Sequence, residues 1–213
     1  MVHVTRSAQI AVPLLAMVLV VVASNILVQY PVEGHLGSIP LSDILTWGAF
    51  TYPVAFLVTD LTNRIYGPGM AHKVIVAGFA AAVILSVYLA TPRLAVASGT
   101  AFLVGQLLDV TIFNRLRQSA WWKAPWVGSI LGSVVDTTLF FTLAFAASFA
   151  ILGVNDPFAS ETMPLLSVMA TEAPRWVSWA IGDLMVKVLV AIVALGPYRV
   201  VMNSRAQWKP VVG

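Results

Sequence analysis

Trp176-Val-Ser-Trp-Ala-Ile-Gly-Asp-Leu-Met-Val-Lys-Val-Leu-Val-Ala-Ile-Val-Ala-Leu195 is apolar throughout apart from Ser178, Asp183 and Lys187. A helix crossing the hydrocarbon core of a bilayer needs about 20 such residues. Three further aspartates, Asp60, Asp109 and Asp136, also lie inside apolar stretches. A charged side chain at the bilayer centre costs on the order of 3 kcal/mol, so all five ionisable groups must face a protein interior or a watery cavity. They are where function is to be sought.

Working outward, the chain of 213 residues is 59% hydrophobic and 10% charged, with a mean hydropathy of +0.89. Soluble domains carry about a quarter charged residues. The composition therefore predicts an all-α integral membrane protein, with residues 1–213 forming one transmembrane unit. The formal charge of +3 does not imply nucleic-acid binding, because the basic residues fall between spans, where membrane topology accounts for them. There is no cysteine, which excludes disulfides, thiolate catalysis and cysteine-based metal sites.

Apolar runs separated by polar or Pro/Gly-containing breaks predict six helices, near 8–30, 41–62, 71–90, 94–114, 125–152 and 175–201. His3 and Arg6 precede the apolar run from Ala8 to Val28, which is too long for a signal peptide and is expected to be a retained first span. An inside N-terminus places Arg6, Arg64, Lys73, Arg115, Arg117, Lys123, Arg199, Arg205 and Lys209 in the cytoplasm, against Arg93 and Arg175 outside. Both termini are then cytoplasmic. Trp121, Trp122 and Trp126 beside Lys123 form an interfacial belt. Pro53 frees a carbonyl one turn earlier, so a kink near Ala49 is expected, whether for packing or for transport. Gly128 and Gly132 form a GxxxG, with Ser129 and Ser133 offset by one, which signals close helix contact within or between subunits.

Helical spacing groups the charged residues with neighbours suited to a flat polar ligand. The fourth span offers Phe102, Gln106, Asp109 and Phe113; the fifth Ser129, Ser133, Asp136 and Phe140 with Thr137 adjacent; the sixth Trp176, Trp179, Asp183 and Lys187. Asp136 should lie roughly 16 Å from the cytoplasmic start of its helix. Asp183 and Lys187, four apart, are placed either to neutralise each other or to bind. Asp109 and Asp136 have no cation at i+3 or i+4 and need interhelical partners or a ligand. Asp60 with Asn63, together with Asn114, is placed for gating or cytoplasmic-side contact, although Asp60 beside Arg64 also suits an interfacial ion pair.

No phosphate-binding loop, HExxH or GxSxG is present, and His3, His35 and His72 fall at or beyond span ends. Metal sites and nucleophilic triads lack their residues, so neither enzyme activity nor a cofactor is expected. A membrane-embedded aspartyl protease would need two facing aspartates, and four are available. Asp60-Leu-Thr-Asn-Arg64 and Asp109-Val-Thr-Ile-Phe-Asn-Arg115 share a short internal similarity.

The run Gly105-Gln-Leu-Leu-Asp-Val-Thr-Ile-Phe-Asn-Arg-Leu-Arg-Gln-Ser-Ala-Trp-Trp122, followed by Ala124-Pro125, resembles the bacterial queuosine-precursor transporters of the vitamin-uptake-transporter family. So do Thr59-Asp-Leu-Thr-Asn-Arg-Ile-Tyr-Gly67, Asp136-Thr137, and Asp183 with Lys187. The resemblance covers the chain from about Ala23; Ser133 departs from it, since an asparagine is expected there. It implies import of 7-cyano-7-deazaguanine, its aminomethyl relative, or both, across the bacterial inner membrane for queuosine synthesis in tRNA. Gln106, Asp109, Asp136, Thr137, Trp176, Trp179, Asp183 and Lys187 are the expected substrate-binding residues. Carboxylates would accept the N–H donors of the guanine edge, and Trp176 or Trp179 would cap the ring. The resemblance also admits a second role, as the substrate-binding subunit of an energy-coupling-factor transporter with separate ATPase partners. The expected partners are a deazapurine, membrane lipid and, through the small-residue surfaces, a second copy in a homodimer, with no nucleic acid.

Overall fold

The computed structural model describes residues 6–28, 30–89 and 91–205. His3 and Lys209, used in the topology argument, lie outside them. Helix α1 (Arg6–Leu27) leads into a small antiparallel hairpin, β1 (His35–Leu36) and β2 (Ile39–Pro40), whose tight turn holds Gly37 at φ 63°.

The second apolar stretch departs from its expected continuous helix. Leu41–Asp43 is a single 3-10 turn, Thr46 bridges back to Pro31, and regular helix begins only at α2 (Gly48–Thr51), followed by α3 (Val54–Tyr66). Pro53 has no N–H to give, and the ladder across the break shortens to i→i−3 bonds, Ala55 N to Tyr52 O at 3.0 Å and Phe56 N to Pro53 O at 3.1 Å. The expected kink is therefore present, immediately beyond Ala49. Gly67, at φ 84°, ends α3 in a conformation that disfavours side chains, and Pro68 starts α4 (Pro68–Leu89).

Helix α5 (Pro92–Leu116) opens with proline at its first position and Thr91 Oγ1 accepting from Leu94 N. Helix α6 (Lys123–Phe145) stops seven residues short of the expected 152, because Ala146 turns to an extended conformation and Ala147–Leu152 continues as a 3-10 segment. Arg93 explains the stop. Its guanidinium, 3% exposed, donates to the carbonyls of Leu143, Ala146 and Gly153 and to Asn155 Oδ1, taking acceptors that a finished helix end leaves open. Arg93→Met is expected to cost on the order of 3 kcal/mol, since buried acceptors lose charged donors. Thermal unfolding together with faster proteolysis of the 147–174 segment would register it.

A short helix, α7 (Pro157–Ser160), and a second hairpin, β3 (Thr162–Pro164) with β4 (Glu172–Pro174), precede the long α8 (Arg175–Arg205). Among the described residues, four helices are long and apolar enough to cross a membrane, Pro68–Ser86, Pro92–Leu116, Lys123–Phe145 and Arg175–Asn203, and Ala11–Leu27 is a shorter apolar helix. Leu15, Val76, Ile84, Met185, Leu189 and Val193 point outward as exposed apolar side chains, a surface that lipid would cover.

Inside, Met17, Val21, Ala55, Val74, Ile75, Phe102 and Val110 join α1, α3, α4 and α5 in one core. The glycines of the GxxxG are used within the chain. A Cβ on Gly132 would sit 2.8 Å from Phe56 and 3.0 Å from Gly105 O, and one on Gly128 would strike Asp109 Oδ1. At the basic end, Arg64 donates to Tyr198 Oη at 2.8 Å and to Arg117 O at 2.7 Å, while Arg117 donates back to Arg64 O at 2.8 Å. Lys123 lies over Trp122, and Arg199 over Trp121.

Candidate functional site

A cavity of about 450 Å³ occupies the half of the bundle remote from the basic end. That volume suits a ligand the size of a nucleobase or larger. Its floor is built by α6 and α8. Lys187 Nζ donates to Asp136 Oδ2 at 2.7 Å and Thr137 Oγ1 at 2.9 Å, and pairs with Asp183 Oδ2 at 2.5 Å, so each of its three N–H bonds has an acceptor. Thr137 Oγ1 donates in turn to Asp183 Oδ2 at 2.7 Å. Tyr52, held at the Pro53 break, donates to Asp136 Oδ1 at 3.1 Å and presents its ring 5.2 Å from Lys187 Nζ.

Asp183 and Lys187 thus make the expected helical ion pair, and Asp136 joins it from the facing helix. One ammonium between two carboxylates leaves a formal surplus of one negative charge at the floor. Asp136 and Lys187 are buried, whereas the Asp183 side chain is 18% exposed and lines the cavity.

The walls are aromatic. Phe145 meets Trp179 edge-on at 5.7 Å, Phe140 meets Phe141 at 5.1 Å, and Phe102 meets Tyr52 at 6.2 Å. Trp179 is fixed by donating its indole N–H to Asp43 O. Ser24, Asn25, Ser86 and Ser98 add polar groups, and Ser24 Oγ has no protein partner among the described residues.

Other expected contacts lie elsewhere. Gln106 and Asp109 are fully buried one turn and two turns below the cavity along α5, beside α3 and α6, and do not line it. Gly105 and Asp136 stand between: a Cβ on Gly105 would lie 2.9 Å from Asp136 Cβ. Trp176 is half-buried outside the cavity, Asn114 half-buried near the basic end of α5, and Asn63 fully buried on α3 one turn from Asp60.

Beyond the floor, toward the basic end, lies a constriction of about 10 Å³, bordered by Phe56, Asp60, Ser129, Ser133, Lys187 and Tyr198. Lys187 borders both spaces. The larger space on one side of Lys187 can admit a small solute, and the space on its other side is far smaller.

A family model described as "Putative vitamin uptake transporter" matches residues 46–91 and 84–201. This chain belongs to the vitamin uptake transporter family. Among curated relatives, the "Queuosine precursor transporter" of Escherichia coli (strain K12) is 37% identical over 208 residues, covering 87% of this chain and 82% of that protein. The "Probable queuosine precursor transporter" of Haemophilus influenzae is 35% identical over 214 residues, covering 87% and 83%. No solved structure matches. As a member of a transporter family, this uptake transporter is a multi-pass membrane protein and not an enzyme.

Within the transporter, sequence reasoning missed Tyr52 and Ser24. The available signal for Tyr52 was its place beside Pro53, where a helix break turns a polar aromatic side chain into the bundle. Ser24 carries no such signal. Ser133, where the family resemblance predicts asparagine, borders the constriction and not the cavity.

Proposed function

We propose that this transporter imports queuosine precursors, 7-cyano-7-deazaguanine, 7-aminomethyl-7-deazaguanine or both, across the bacterial inner membrane for queuosine synthesis in tRNA. The names of its relatives support the substrate class. The observation that carries the reading is the surplus negative charge at the floor of an aromatic-walled cavity, with Asp183 accessible from within. A deazaguanine offers paired N–H donors on one edge, which a carboxylate accepts, and a flat face for Trp179 and Phe140 to stack on. The aminomethyl form would also bring an ammonium that balances the floor.

All six apolar segments cross the membrane in this reading, as one unit with the basic end and both termini in the cytoplasm. The cavity then opens outward, ready to load. The family's six-helix plan also suits a binding subunit awaiting ATPase partners, and reconstitution of the chain alone separates the two roles: movement of substrate across liposomes supports a self-sufficient transporter.

Uptake of labelled 7-cyano-7-deazaguanine by cells unable to make it, read as queuosine in tRNA, is the direct test. Asp183→Asn is expected to lower uptake about 10- to 100-fold at matched expression, the loss of one charge-assisted hydrogen bond. Wild-type cells that take up nothing while expressing the protein well would remove the substrate assignment.

A further inference from the structure

Below the cavity floor lies a second polar cluster that the proposed substrate site does not use. Asp60 of α3 is 2% exposed, and Asn63, Gln106 and Asp109 are fully buried. The Asp60 and Asp109 carboxyl groups come together against the Gly128–Ser129 step of α6, where a Cβ on Gly128 would strike Asp109 Oδ1. Ser129 donates to Asp60 Oδ2 at 3.2 Å, and Thr59 donates to Gln106 Oε1 at 2.6 Å. Asp60 Oδ1, both oxygens of Asp109, both amide atoms of Asn63 and Gln106 Nε2 have no hydrogen-bond partner among the described residues. Buried polar atoms left over in such number are uncommon, and each calls for an explanation.

The neighbouring charges supply none. Arg64 acts on Asp60 through space, but its guanidinium is committed to Tyr198 and to the Arg117 carbonyl. Tyr198 and Lys187 border the same constriction as Asp60, yet the ammonium of Lys187 is fully engaged at the cavity floor. His72 and Lys73 of α4 are exposed, and Arg117 turns to the backbone of Arg64. Two carboxylates cannot face each other in a dry interior with both charges intact, and neither has a hydrogen to donate unless one oxygen carries it. The chain belongs to a family of transporters, so these two aspartates do not make a protease here.

We propose that Asp60 and Asp109 form a proton-binding site, separate from the substrate cavity, on the side of Lys187 nearer the basic end. Binding one proton takes the pair from two negative charges to one and lets a carboxyl O–H donate to the opposite carboxylate. Asn63 and Gln106 lie one turn away on the same two helices, placed to accept or donate as that proton moves. Asp60 borders the constriction, so the proton exchanges with the basic side when that passage opens, which would tie substrate release to proton release. The link to transport rests on the functional reading above; the site itself does not depend on which ligand fills the cavity.

Infrared spectroscopy of the purified protein in lipid tests the site directly. A protonated-carboxyl C=O band, shifted on exchange into heavy water, is expected at neutral pH in the wild type and in Asp183→Asn. It should vanish in the isosteric double variant Asp60→Asn/Asp109→Asn, with thermal unfolding confirming that the variant is folded. No band in the wild type, or a band kept by the double variant, overturns the proposal. So does wild-type stability that rises when sodium replaces potassium and no longer does so in the double variant, which would mark a metal-ion site. In proteoliposomes holding a pH dye, uptake of 7-cyano-7-deazaguanine should carry protons inward with the wild type, and proton movement by the double variant should fall to the level of empty vesicles. A band without wild-type transport supports the proton site while overturning the substrate assignment.

Discussion

Lys187→Met lowers the stability of the transporter by about 3 kcal/mol and abolishes uptake, because it leaves the buried Asp136 carboxylate, and the partly exposed Asp183 beside it, without their shared cation. Asp136 and Thr137 lose direct donors at 2.7 and 2.9 Å, and Asp183 loses its pair at 2.5 Å. Removing the charges that Lys187 neutralises should reverse the first effect only. Lys187→Met/Asp136→Asn/Asp183→Asn is expected to regain most of the lost stability in thermal unfolding while remaining unable to import substrate. A single variant as stable as wild type would mean that the pair contributes nothing to the fold. A triple variant that transports would mean that the floor does not bind.

The second large effect is steric. Gly132→Leu is expected to destabilise by about 3 kcal/mol or more, the upper range for overpacking a core. The first added carbon would already meet Phe56 at 2.8 Å, Gly105 O at 3.0 Å and Asp109 Cβ at 3.3 Å, so α5 and α6 must separate. Their separation moves Asp136, and the cavity floor with it, so uptake should fall together with thermal stability. Gly196→Ala is the matched control. Outside its own chain neighbours and helix backbone, nothing lies within 4 Å of its added carbon, so no other helix has to move. A Gly132→Leu protein that melts with wild type would refute the close crossing.

The elements most legible in the sequence were those set by properties local to one helix. Length and apolar content placed α4, α5 and α8, proline chemistry placed the break at Pro53, and i,i+4 spacing paired Asp183 with Lys187. What escaped was what depends on how two helices are rotated against each other. Spacing along α6 puts Asp136 and Ser133 on one stripe, but not that Asp136 would reach Lys187 while Ser133 faced the constriction. Gln106 and Asp109 share a stripe with Phe102, yet only Phe102 lines the cavity, since periodicity gives a face and not the depth at which a cavity ends. Gly105 against Asp136 sets that depth. The Gly128/Gly132 pair left contact within or between subunits open, and both glycines are spent on α5. Arg93 counted only as a charge outside the membrane, because nothing in its neighbours indicates that it would finish a helix fifty residues away.

The contacts at the basic end have a physical signature of their own. Arg64 and Arg117 grip a phenol and each other's backbone carbonyls, all neutral acceptors. Mobile ions weaken attraction between opposite charges but act only feebly on bonds to neutral acceptors. The basic end is therefore held together by bonds that the ionic strength of its surroundings barely loosens.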